Sequence, residues 1–340
     1  MSVLHLDLGE RGYDIHIGRG LILKAGELFN LNRSVFILTD SGVPAEYAQG
    51  VLAQTKRGTV FTVECGEGAK SPEVYSAALG EMIKFGLTRS DCVVAVGGGV
   101  VGDLAGFLAA TYMRGVDFYN IPTTVLSQVD SSIGGKVAIN VGGVKNIAGA
   151  FHQPRGVIVD PEVLKTLPKR QISNGLAESV KMALTSDNEL FEMIEAEDIN
   201  DDNIEEIITR SLKIKKAVVE SDERESGLRK ILNFGHTLGH GIEAEEQMRG
   251  MYHGECVALG MTAVCSPEVR VRLTSVLKRL GLPTEYQGDL EKALSFVVHD
   301  KKCDGGRISA ILVSEVGKSK IVMMSTEEFC DTVRVALSAK

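Results

Sequence analysis

The sequence predicts an α/β protein in two parts: a doubly wound, mostly parallel sheet domain over residues 1–160, then a mostly α-helical domain over residues 161–340. Three observations carry this. Short β-branched runs alternate with longer amphipathic stretches as far as residue 160, the pattern of strands joined by helical crossovers. Beyond residue 161 apolar residues recur at helical spacing, and strand-like runs are scarce until the end. A chain of 340 residues with 44% hydrophobic content is also longer than one average domain.

Taken in order, "SVFILTD" (34–40), "TVFTVEC" (59–65), "CVVAVGGG" (92–99), "FYNIPTT" (118–124) and "GVIVD" (156–160) read as buried parallel strands. Between them "SPEVYSAALGEMIKFG" (71–86) reads as a helix, with Ser71 as N-cap and Pro72 in the first turn. In the second half "SNGLAESVKMALTSDNELFEMIE" (173–195), "NIEEIITRSLKIKKAVVESDE" (203–223) and "SPEVRVRLTSVLKRLG" (266–281) are helical in period. "RISAILVSEVGKSKIVMM" (307–324) returns to strand character. In an open α/β sheet ligands bind beyond the carboxyl ends of the strands, and a second domain is expected to make a cleft there.

The net charge of −8 argues against nucleic acid or an anionic membrane as the main partner. No apolar run reaches the roughly 18 residues of a membrane span, and the amino terminus lacks a basic-then-apolar secretion signal. Cys65, Cys92, Cys256, Cys265, Cys303 and Cys330 are scattered without a CxxC pair. Reduced thiols in a cytoplasmic protein are the expectation.

Two places concentrate chemistry. "VVAVGGGVVGDLAG" sets Gly97, Gly98, Gly99 and Gly102 directly after an apolar strand, so helix N–H groups there can receive a pyrophosphate. A tight strand–helix turn would carry the same glycines. Polar residues ending neighbouring strands strengthen the binding reading: Asp40, suited to a ribose hydroxyl, "GEGAK" (66–70), and Thr123 with Thr124. No GxxxxGK[ST] is present, so a P-loop is unsupported. The second place is "NFGHTLGHGIEAEEQMRGMYHGE", with His236 and His240 at i and i+4 and His253 beyond a loop. Three clustered histidines among acids point to a metal site, though not of the HExxH type. Glu178 in "NGLAESVK", with Lys181 a turn away, is a candidate oxygen ligand; Glu243, Glu245, Glu246 and Glu255 compete, and spacing does not rank them.

"GGGVVGDLAGFLAATYMRGV", "IPTTVLSQVDSSIGGKVAIN", "KNIAGAFHQP", "GLAESVK", "DERESGLRKILNFGHTLGH" and "HGECVALGM", in this order, strongly resemble 3-dehydroquinate synthase, the second enzyme of the shikimate pathway. The resemblance runs from about residue 40 to residue 307. It implies an enzyme with bound NAD and a divalent metal, Zn2+ or Co2+. The substrate, 3-deoxy-arabino-heptulosonate 7-phosphate, becomes 3-dehydroquinate and phosphate. By motif, Glu178, His236 and His253 match the metal ligands, which leaves His240 to substrate contact or proton relay. Asp40, Glu67, Lys70, Gly99, Val100, Val101, Gly102, Asp103, Thr123, Thr124, Lys136 and Lys145 match the NAD contacts. Arg114, Asp130, Lys136, Asn146, Lys181, Lys215, Arg229 and Asn233 match the substrate pocket, with Lys301 of "HDKK" beside them. One departure is "TDSG", where Gly42 stands in place of the asparagine common in the family.

The resemblance implies transient oxidation at C5, elimination of phosphate, return of the hydride, and ring opening with an intramolecular aldol closure. A homodimer is likewise a family expectation. The lysines and arginines supply a cationic pocket for a small anionic sugar phosphate inside an acidic protein. The glycines of "VDSSIGGKVAINVGGVKNIAGAFHQP" (129–154) let backbone approach the ligands closely. Alternatives are a related cyclase, such as one making 2-deoxy-scyllo-inosose, or a metal-dependent polyol dehydrogenase of the same fold. A non-catalytic nucleotide-binding module would not need the metal ligands and the basic pocket together.

Overall fold

Strand β3 (Ser34–Asp40) shows how the first half assembles. Its side chains alternate between two faces, and both are buried. Phe36 and Leu38 enter one apolar cluster with Ala78, Met82, Val101, Leu104 and Leu108, while Val35 and Ile37 enter another with Ala25, Ala48 and Val51. Helices therefore cover both faces: α3 (Pro72–Phe85) and α4 (Gly99–Thr111) on one, α1 (Ala25–Leu28) and α2 (Ala45–Leu52) on the other. That is the doubly wound arrangement the sequence predicts.

The computed structural model describes residues 1–246, 250–302 and 306–338, without the side chains of residues 300–302 and 338. The chain divides into two units, Met1–Leu167 and Pro168–Lys340. In the first, a seven-stranded sheet runs in the order β1-β2-β9-β6-β5-β3-β4. Its other strands are β1 (Ser2–Leu6), β2 (Tyr13–Ile17), β4 (Arg57–Val63), β5 (Cys92–Gly97), β6 (Asp117–Pro122) and β9 (Gly156–Val159). Neighbours pair in parallel except β1 with β2. Counted along the chain, the parallel strands from β3 to β9 lie in the order 2-1-3-4-5, whose switch point falls between β3 and β5. Asp40 and Gly97 end those two strands.

Strands β1 and β2 are short, and β1 lies at an edge, so their sequences lack the apolar run that marks a central strand. The glycine-rich stretch after β6 forms a π-helical turn, Ser127–Ser131, and then a separate hairpin of β7 (Lys136–Val141) and β8 (Val144–Phe151). Gly142 and Gly143, both at positive φ (61° and 80°), make its tip.

The second unit holds α5 (Lys169–Ser186), α6 (Asn188–Ala196), α7 (Ile204–Ser221), α8 (His236–Glu246), α9 (His253–Ala263), α10 (Pro267–Arg279), α11 (Leu290–Lys302) and α12 (Thr326–Ser338). An antiparallel pair, β10 (Arg307–Glu315) and β11 (Lys318–Ser325), accounts for its strand-like run. The single helical stretch expected over 173–195 is two helices. Asp187 leaves the helical region (φ −148°, ψ 96°) and caps α6 by accepting from Leu190 N at 3.0 Å. Among the described residues no helix is long and apolar enough to cross a membrane, and Cys65, Cys92, Cys256, Cys265 and Cys330 are free thiols. Cys303 lies outside the described residues.

Candidate functional site

At the carboxyl edge of the first unit's sheet, Gly97 ends β5 and α4 begins two residues later. The turn is closely packed: a Cβ on Gly97 would fall 2.5 Å from Val101 Cγ2, and one on Gly99 would lie 3.0 Å from Ser131 Oγ. No side chain caps the amino end of α4, so its first-turn N–H groups are left for a ligand anion or solvent. Thr123 follows β6 and donates from its backbone N to Gly97 O at 2.9 Å, setting Thr123 and Thr124 beside the turn. Asp40, at the end of β3, accepts from Gly42 N at 2.8 Å. A Cβ at Gly42 would meet Asp40 Oδ1 and Cys65 Cβ, both at 3.2 Å.

Lys70 is buried and joins several predicted residues in one network. Its Nζ donates to Asp103 Oδ2 at 2.6 Å and to Asn146 Oδ1, with Glu67 Oε1 at 3.5 Å. Asn140 closes the circuit: its Nδ2 donates to Glu67 Oε1 at 2.9 Å, and its Oδ1 accepts from Asn146 N at 2.8 Å. Asn146 holds a positive φ of 56° within β8. Lys136 and Lys145 are exposed on the same hairpin, and Asp130 sits half-buried on the π-helical turn. Arg114 stands apart. It follows the far end of α4 and precedes Asp117, which pairs with Cys92 at the opposite end of the strands.

The second unit gathers the other candidates around α5. Glu178 on α5 is fully buried, and its carboxylate is ion-paired with Lys181 one turn on. Oε1 of Glu178 lies 3.7 Å from His236 Nε2 and 3.6 Å from His253 Nε2. Neither carboxylate oxygen accepts a hydrogen bond among the described residues. Ligand-capable atoms of His236, His240 and His253 all lie within 4.8 Å of one another. Burial acts to raise the Glu178 carboxyl, but Lys181 and the two imidazoles outweigh it and hold it well below the usual carboxylate range. Burial, with Lys181 adding to it, lowers His236 to about 3, so that ring is neutral and has a lone pair to give.

The donor set suits a divalent ion. Zinc ligands stand about 2.0–2.2 Å from the ion, so an oxygen 3.6–3.7 Å from each of two nitrogens that lie within 4.8 Å of one another fits around a single centre. The spacing is set by backbone. A Cβ on Gly260 of α9 would fall 1.9 Å from Gly235 O, just before α8, and one on Gly254 would fall 2.0 Å from Asn174 O on α5. Asn174 Oδ1 also accepts from Gly254 N at 2.7 Å. Glu255 accepts from Tyr252 N at 2.8 Å and holds Arg170 of α5 through two bonds of 2.7 and 2.8 Å, fixing the first turn of α9.

Two more cations are buried nearby in sequence order: Lys215 on α7 and Arg229 on the turn Leu228–Asn233, only 4% and 3% exposed. Met182, Val218 and Leu232, close after Lys181, Lys215 and Arg229, form one small apolar cluster that anchors the three segments together. Asp222 accepts from Ser226 N, Gly227 N and Arg229 N at 2.9, 2.7 and 3.0 Å and so shapes the loop before Arg229. Asn233 Nδ2 donates to Glu225 Oε1 at 2.6 Å. The side chain of Lys301 lies outside the described residues.

Two family profiles abut, together covering residues 60–303. The 3-dehydroquinate synthase N-terminal profile matches residues 60–174 and the 3-dehydroquinate synthase C-terminal profile residues 175–303. The chain belongs to the 3-dehydroquinate synthase family. A 3-dehydroquinate synthase of Thermoanaerobacter pseudethanolicus is 40% identical over 98% of this chain and 100% of its own, and one of Lactococcus lactis is 40% identical over 96% and 98%. Among solved structures, 2-deoxy-scyllo-inosose synthase complexed with carbaglucose-6-phosphate, NAD+ and Co2+ superposes at a TM-score of 0.86, with 25% identity over 98% of this chain and 99% of that one. The 2-epi-5-epi-valiolone synthase of Streptomyces hygroscopicus, with NAD+ and Zn2+ bound, gives 0.85 at 25% identity over 96% of both chains. A probable glycerol dehydrogenase of Sinorhizobium meliloti falls to 0.63 at 16% over 95% of this chain and 96% of its own, a likeness of fold alone.

Within this family frame, sequence reasoning missed Asn140, Asn174, Arg170 and the true neighbour of Glu243. Asn140 carries no local signal. Glu243 does: it follows His236 and His240 at i+7 and i+3, on one helical face.

Proposed function

We propose that the chain catalyses the whole 3-dehydroquinate synthase reaction, with Glu178, His236 and His253 as metal ligands and the sheet edge around Gly99 to Asp103 as the NAD site. The observation that carries this is the buried Glu178 carboxylate, ion-paired with Lys181 and facing two imidazole nitrogens. When bound, NAD supplies a hydride acceptor and then donor, and the divalent ion a Lewis acid for substrate hydroxyls.

The chain's own residues bind and orient. Lys181, Lys215 and Arg229 sit on three segments tied by one small apolar cluster, a concentration of positive charge that suits a substrate bearing both carboxylate and phosphate. Asn233 and His240 offer hydrogen bonds, His240 with a ring able to pass a proton. Asp130, Lys136 and Asn146 are proposed as further substrate contacts, whereas Arg114, at the opposite end of the strands, would reach a substrate only from a second protomer. Asp40, Glu67, Lys70, Thr123, Thr124, Lys136 and Lys145 are proposed for NAD. For Lys70 the role is positioning, since its ammonium is engaged by Asp103 and Asn146. A homodimer acting in the cytoplasm completes the reading.

The test is stoichiometric. Given 3-deoxy-arabino-heptulosonate 7-phosphate, the protein should release one phosphate per substrate with NAD in catalytic amount and no lasting NADH absorbance. NADH accumulating in step with substrate loss, without phosphate, would mark a polyol dehydrogenase instead.

A further inference from the structure

The two proposed histidine ligands are held in the same way by different means. His236 sets Nδ1 against the carbonyl of Phe234 at 3.1 Å and turns Nε2 toward Glu178. His253 also turns Nε2 toward Glu178, but its Nδ1 faces a side chain, Glu243 Oε2, at 3.2 Å. A carbonyl or carboxylate at Nδ1 accepts a proton from it, and the neutral ring then carries its lone pair on Nε2. The first lock is backbone and cannot be mutated away. The second is one carboxylate on α8.

We propose that Glu243 is the positioning residue that makes His253 a ligand, by accepting Nδ1–H and fixing both the tautomer and the ring plane. Two features isolate this role. The backbone of His253 is fixed independently, through Asn174 to Gly254 N and through Glu255 and Arg170. Removing Glu243 therefore takes the acceptor from Nδ1 while the His253 backbone stays held. Glu243 also shares one face of α8 with His236 and His240, so a single helix supplies one ligand, its neighbour and the orienting group of another. Carboxylates behind metal-bound histidines raise ligand basicity and usually matter tenfold to a hundredfold in metal affinity.

This inference rests on the ligand reading above, and the experiment separates the two. Zinc affinity is measured by chelator competition for the parent, Glu243→Ala, Glu243→Gln and His253→Ala, with melting curves of the metal-free proteins alongside. Glu243→Ala should weaken zinc roughly tenfold to a hundredfold. Glu243→Gln, whose amide oxygen can still accept Nδ1–H, should stay within about threefold of the parent, which a merely structural carboxylate would not predict. If His253→Ala keeps parental affinity, the ligand reading fails. If His253→Ala loses zinc while folded Glu243→Ala binds as the parent does, only the role of Glu243 fails.

Discussion

Two buried charges of opposite sign, Lys70 in the first unit and Glu178 in the second, are treated differently by the fold. Around Lys70 the protein has supplied every partner: Asp103 at 2.6 Å, Asn146, and Glu67 at 3.5 Å, with Asn140 bracing two of them. Glu178 has an ion pair with Lys181 and two imidazoles at 3.6–3.7 Å, yet no hydrogen bond reaches either oxygen. A satisfied buried charge is scaffold, holding other groups in place. A buried charge left short of donors is where a ligand finishes the structure.

The largest effect should come from emptying the second site. Prolonged chelation should abolish activity, and zinc or cobalt should restore it. His236→Ala should lose the metal and cost a hundredfold or more in turnover, on the order expected for a Lewis acid. His240→Ala should keep the metal and turn over slowly. Metal analysis decides, and equal metal loss in both would erase that distinction.

The stability contrast comes next. In metal-free protein, Glu178→Gln strands the Lys181 cation, which should cost about 3 kcal/mol, and adding Lys181→Met should recover most of it. Lys70→Met should cost less, about 1–2 kcal/mol, because water can reach Asp103 and Glu67, whose side chains are 22% and 41% exposed. Urea midpoints give both values; a costlier Lys70→Met would reverse the comparison.

Lys136→Ala tests a charge that the fold leaves exposed. A charge-assisted contact to phosphate or carboxylate is worth about 1.5–3 kcal/mol, so kcat/KM should fall roughly tenfold to a hundredfold. Unchanged kinetics would reduce Lys136 to a solvated surface lysine.

The smallest effect is a pH dependence. Desolvation acts to raise the Asp222 carboxyl, but the N–H groups of Gly227, Ser226 and Arg229 outweigh it and bring it to about 2. A depressed carboxyl stabilises the fold above its unfolded value near 4 and loses that contribution as pH falls toward its folded value. Asp222→Asn should therefore melt below the parent at neutral pH, and the gap should close between about pH 4 and pH 2. A gap that stays constant over that range would mean the loop is held otherwise.

The sheet was readable where strands are central, since β3, β5 and β9 are unbroken apolar runs. It was unreadable at β1, where exposed edge positions remove the apolar signal, and in the β7–β8 hairpin, whose many glycines and exposed residues suggest a loop. The clustered histidines announced a metal, but choosing Glu178 over Glu243 needed the resemblance, because both lie in helical stretches with suitable neighbours. Geometry now separates them: Glu178 faces Nε2 of His253 and Glu243 faces Nδ1. No spacing rule could have foretold which nitrogen meets which acid, since that depends on one ring's torsion.

The close approach of Gly260 to Gly235 has a consequence for how this chain can change. Where side chains separate two helices, the gap can be retuned by swapping one residue for a slightly larger or smaller one. Here carbonyl meets Cα with nothing between to trade. The distance from His236 to His253 is thus a ruler cut into the main chain, stiff against the rotamer motion that blurs side-chain packing. Drift in the surrounding sequence can reshape what lies around the two imidazoles, while a methyl group at position 260 would act as a wedge, prising the proposed ligands apart without touching either of them.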